Sequence, residues 1–147
     1  MEVDAPMPRL PPVTIKTFCS VFMITFVEDY CIFSEFEVEQ DDLDYWFNVI
    51  NEEVFEGACP SPHLMLVKRQ RGSWGYVKQA EFGGEHWVAL FMSPKFPTLA
   101  AFLQILAHEM IHVWQFLSVG DTGNHNKNFY SWRDRFKEFG LDLRRNY

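Results

Sequence analysis

The chain has 147 residues and a mass of 17.4 kDa, enough for one hydrophobic core and too few for two. Hydrophobic residues make up 48% and charged residues 22%, a balance that excludes wholesale disorder. The net charge of −7 divides into −11 over residues 1–60 and +4 over residues 61–147, so overall acidity does not exclude an anionic partner for the second half.

Three cysteines, Cys19, Cys31 and Cys59, form no C-x-x-C pair, which argues against a disulfide scaffold or a cysteine-held zinc ribbon. The opening Met1-Glu2-Val3-Asp4 is acidic where a secretory signal is basic, and no run reaches the ~20 apolar residues of a membrane span. These features predict a cytoplasmic protein with reduced thiols and no membrane partner.

Residues 1–12 carry four of the eight prolines and read as an extended tail, leaving 13–147 as a single domain with an acidic N-terminal region. Residues 13–30 are apolar and lean towards a buried helix. Residues 34–42 are acidic and expected to be exposed. Asp41 or Asp42 can cap a helix in which Leu43, Trp46, Phe47, Ile50 and Val54 share one face, with Gly57 as its stop. Strand patterns follow at 63–69, 76–82 and 86–92, separated by glycine-containing turns, and predict a small antiparallel sheet. Pro94 and Pro97 end the last strand. Thr98 can cap a long helix running to about residue 119, with Gly120 beyond it. A final helix is expected from about residue 126 to Gly140. The order of elements predicts an α+β fold, a three-stranded antiparallel sheet packed against helices.

The long helix contains His108-Glu109-Met110-Ile111-His112, an H-E-x-x-H motif. Four residues are just over one helical turn, so both imidazoles project to the same side and can share one Zn²⁺, while Glu109 can serve as general base to water. A shuffled chain of this composition yields the pattern about once in a hundred, so its setting matters. Here the motif lies in an otherwise apolar helix, where two histidines and a glutamate are costly without a compensating partner. A catalytic zinc needs a third protein ligand. His125, behind a loop containing Gly120 and Gly123, is the leading candidate, with Asp121, Asp134 and Glu138 as alternatives. Oxyanion or substrate contacts are expected from among His86, Tyr130 and Arg133. The strand edge near residues 86–92 could pair with an extended substrate. Phe129 and Trp132 are expected to seat the last helix in the core.

From about residue 43 to 139 the chain resembles the SprT-like (Spartan-like) zinc metalloprotease domain. The likeness rests on the early amphipathic helix, the small sheet leading into Ser93-Pro94, the H-E-x-x-H helix, and His125-Asn126-Lys127-Asn128-Phe129 in place of the family's H-G-x-x-F pattern. It implies a zincin-like fold and a metallopeptidase holding one zinc ion through His108, His112 and His125. It also implies action on proteins crosslinked to DNA, with single-stranded DNA as a partner. Two departures stand out. Asn126 replaces the usual glycine, a position where Asn tolerates unusual backbone angles. No cysteine follows Cys59, so the cysteine ribbon of many members has no counterpart in these residues.

Lys68, Arg69 and Arg71 near Trp74 and Tyr76 combine positive charge with aromatic surface, as a single-strand platform does. Three functions are therefore carried forward. They are an endopeptidase, a catalytically quiet zinc-containing module whose acidic N-terminal region holds a partner protein, and a hydrolase of small amides. The intact Glu109 speaks for catalysis.

Overall fold

The computed structural model describes residues 35–68 and 72–147. The expected tail at 1–12 and the apolar stretch at 13–30 lie outside the described residues, as do Cys19 and Cys31. The fold is α+β.

Helix α1 spans Gln40–Glu53 and buries Leu43, Trp46, Phe47 and Ile50, the stripe its period predicts. Its cap is Glu39 rather than Asp41 or Asp42. Asp42 instead completes a reciprocal capping box by accepting from the Glu39 amide at 2.8 Å, and it is buried in doing so. The acidic residues before it, Glu35, Glu37 and Glu39, are exposed as expected. Strand β1 (Phe36–Glu37) pairs antiparallel with β5 (Lys95–Phe96), and Val38 is buried. The far end of α1 is closed by Arg135, whose guanidinium donates to the Val54 and Glu53 carbonyls at 2.9 and 2.8 Å. Asn51 then clamps the following turn through both main-chain groups of Cys59.

The main sheet has three strands in the order β2 (His63–Leu66), β4 (Glu85–Met92), β3 (Gly75–Phe82). It is mixed, not antiparallel as expected: β3 and β4 form the predicted hairpin, but β2 runs parallel to β4. The link between β2 and β3 is too long for a tight hairpin, so β3 lies two positions away and β4 fills the gap. The central strand is the most buried, with Val88, Leu90 and Met92 on the face towards the helices.

Helix α2 (Leu99–Trp114) crosses that face. Thr98 caps it by accepting from the Ala101 amide at 3.1 Å, as its sequence predicts. Twelve of its sixteen residues are buried, the H-E-x-x-H residues among them. The α-helical period stops at Trp114, and the last turn, Gln115–Val119, widens into a π-helix before Gly120 reverses the chain at φ 72°. The expected final helix is split into α3 (Lys127–Tyr130) and α4 (Arg133–Glu138), with Phe129 and Phe136 fully buried. No helix among the described residues is long and apolar enough to cross a membrane.

Phe102 is fully buried on α2 and touches Phe36 of β1 and Phe96 of β5, so one ring ties the small sheet to the core. Phe102→Ala is expected to lower stability by about 3–5 kcal/mol in urea denaturation, because it leaves a cavity between three elements.

Candidate functional site

His108 and His112 project from successive turns of α2, as i and i+4 residues must. His125 comes back from the loop beyond the π turn. The three Nε2 atoms converge: His108 lies 3.3 Å from His112 and 3.2 Å from His125. Two ligands at ~2.0–2.1 Å from one tetrahedral centre stand ~3.3–3.4 Å apart, so the spacing matches a shared ion. Among the described residues this is the one group of three side chains placed to hold a metal ion. The alternatives for the third position are used elsewhere: Asp121 is bound up in the loop, and Glu138 pairs with Arg135 at 3.0 Å. Asp134 lies in the first turn of α4, outside the cluster.

The environment keeps all three rings neutral. Burial, followed by the neighbouring His112 and His125, holds His108 down to about 3. The Arg144 carbonyl pulls the other way but makes no hydrogen bond of good geometry with the ring, whose buried Nδ1 has no partner. Burial also lowers His112 and His125, with the Arg145 charge assisting at His125. Neutral imidazoles are the metal-binding form. Beneath them sits Phe129, whose ring lies 4.6–5.1 Å from each of the three.

Glu109 is 8% exposed and borders the same cleft, and burial alone pushes its carboxyl up to about 8. Its placement depends on Gly75. A Cβ at Gly75 would stand 2.8 Å from the Met92 sulfur, 3.2 Å from the Phe91 carbonyl oxygen and 3.3 Å from the Glu109 Cγ, so glycine lets β3 lie against the motif without displacing these neighbours. Gly123 has a comparable role before His125: its φ is +78°, and a Cβ there would strike the Phe116 ring.

The cleft has a volume of about 490 Å³. Gly72–Val77 form one side, and Arg145, Asn146 and Tyr147 border it as well. Tyr147 packs edge-on to His108 at 5.1 Å, with its hydroxyl donating to the Asp142 carbonyl at 2.6 Å. These last residues carry no motif, and the contact is non-local, so sequence reasoning missed them.

Of the other predicted site residues, Trp74 lines the cleft but stacks on Phe96 at 5.4 Å, which occupies one face of its indole. Lys68 is exposed beyond β2, while Arg69 and Arg71 lie outside the described residues. His86, Tyr130 and Arg133 do not border the cleft. His86 is exposed in the β3–β4 hairpin and bonds Gln79 at 2.9 Å. Arg133 covers the Tyr130 ring at 4.7 Å, and that ring packs edge-on to Phe129. The strand edge expected near residues 86–92 is also not free, because β4 is flanked by β2 and β3. The edge beside the cleft belongs to β3.

Asn126 does not need the unusual backbone expected of it. At φ −103° and ψ −165° it is extended, and it caps α3 by accepting from the Phe129 amide at 3.1 Å.

The purified chain should take up one divalent transition-metal ion, read by atomic emission after dialysis. His125→Ala should lower the affinity at least 100-fold, since two helical imidazoles alone make an incomplete site.

A search among curated proteins returns no match. The family model described as SprT-like family matches residues 43–146, which include the whole of the H-E-x-x-H helix, His125, and Gly72–Val77, Arg145 and Asn146 of the cleft wall. The chain therefore belongs to the SprT-like family.

Proposed function

We propose that this chain is a zinc-dependent endopeptidase of zincin-like architecture, with His108, His112 and His125 as ligands and Glu109 as general base. The observation that carries this reading is a buried carboxyl beside three converging imidazoles in a cleft bordered by a strand edge that is unpaired among the described residues. Three nitrogen donors at tetrahedral spacing suit zinc and leave a fourth position open. Zinc held there supplies a lowered pKa for water and polarises a scissile carbonyl. Glu109 accepts the proton of the attacking water at a carboxylate oxygen and returns it to the departing amine. A structural site has no use for such a base.

The substrate class follows from the wall of the cleft. Among the described residues, β3 bonds to β4 along one edge only, and its Gly75–Val77 end borders the cleft. An extended peptide can add to that edge through main-chain hydrogen bonds, which favours a polypeptide over a small amide. Coupling to DNA draws on the family resemblance and on the positive charge of residues 61–147. On this reading the substrates are DNA-bound proteins.

Cleavage of an unstructured protein and of a DNA-binding protein should be assayed with zinc-loaded chain, with and without single-stranded DNA. Glu109→Gln is expected to retain its zinc and lose about 10²–10⁴-fold in rate. Equal rates in the wild type and Glu109→Gln would sink the catalytic assignment, and cleavage indifferent to DNA would remove nucleic acid from the proposal.

A further inference from the structure

Gln115 opens the π turn three residues after His112 and is fully buried. Its amide nitrogen faces three acceptors: the Asn124 carbonyl at 2.8 Å, Asp121 Oδ2 at 3.1 Å and Asn126 Oδ1 at 3.2 Å. The Asn126 orientation is fixed in turn, because its Oδ1 accepts from the Phe129 amide while its Nδ2 donates to both Asp121 oxygens. The Gln115 amide therefore has one possible orientation, nitrogen towards the loop and oxygen towards His112. That oxygen lies 2.8 Å from His112 Nδ1. An acceptor at this distance requires the proton on Nδ1 and leaves the lone pair on Nε2, the atom facing His108.

The same side chain holds the loop on both sides of His125. Asn124 and Asn126 are the residues flanking that histidine, and Gln115 donates to each. One ligand of the cluster is thus set in tautomer and ring angle, and another in position, by a single buried amide. We propose that Gln115 is the positioning residue of the three-histidine centre, coupling His112 to the His125 loop so that the ligands are aligned before the ion arrives. The proposal rests on the metal-centre reading above and adds a residue outside the H-E-x-x-H motif.

The test uses the full chain and Gln115→Leu, which keeps similar bulk and removes both functions. In the metal-free wild type, ¹⁵N-edited NMR of the histidine rings should place the His112 proton on Nδ1. In Gln115→Leu that preference should relax, with far-UV circular dichroism unchanged. Affinity for Co²⁺, by chelator competition, should fall about 10–100-fold, with an altered visible absorption spectrum of the bound ion. An Nε2 proton on His112 in the wild type overturns the proposal, even if the leucine variant does not fold. Unchanged Co²⁺ affinity in a folded variant overturns it as well. A wild type that binds no Co²⁺ removes the metal centre itself, a failure distinct from that of Gln115, which the tautomer reads independently.

Discussion

The Nε2 atoms of His112 and His125, brought within 3.2–3.3 Å of the His108 Nε2, are the constraint on which this structure turns. Lone pairs aimed at one point in a poorly solvated place do not gather unaided. A single helix can supply two of them by its pitch, but the third must come from outside it. The chain from residue 115 to 130 is organised around that return. The π turn ends α2, Gly120 reverses the chain, and Gly123 passes against Phe116 where no side chain fits. Asp121 gathers donors from Asn126, Asn128 and Thr122, and Phe129 closes the floor beneath all three rings.

The frame around this cluster is apolar, which gives each buried polar group a consequence. Helix α2 is covered on nearly every side, so its polar residues must find partners within the protein or serve a ligand. His112 is satisfied by Gln115, whereas His108 keeps an orphaned Nδ1 and Glu109 a carboxyl raised by burial. Polar groups left under such tension cluster where chemistry is done. The sheet contributes by distance: Gly75 lets β3 lie against Glu109, bringing a strand edge and a base to the same cleft.

Much of this was legible in the sequence, for physical reasons. The stripe of α1, the Thr98 cap and the spacing of His108 and His112 are local, and local periodicity fixes them. His125 could be named because the neighbouring glycines permit a tight return. What escaped reading was non-local. The parallel pairing of β2 with β4 depends on which strand takes the centre, and no strand pattern states that. Two-residue strands such as β1 and β5 fall below any period. The segment ending at Tyr147 reaches the cleft by packing on Gln104 and His108, contacts spanning about forty residues. Gln115 was the exception, a missed residue with a signal. Its i+3 relation to His112 on the same helical face could have marked it.

Asn126 illustrates how a departure from a family pattern can be absorbed. A glycine after the third histidine offers conformational freedom, yet this chain needs none at that position, since the backbone there is extended. Asparagine instead brings a side chain that caps α3 with its oxygen and binds Asp121 with its nitrogen. The loop is held by polar bonds to a carboxylate rather than by a permissive backbone. Those bonds, from Asn126, then Asn128 and the Thr122 amide, hold the Asp121 carboxyl well below the usual carboxylate range. A depressed folded-state value means that its stabilising contribution is full above the unfolded value and is lost progressively as pH falls from there through the lower one. The carboxylate that organises the loop thus stays charged across the mildly acidic range, and the His125 position it supports does not soften there.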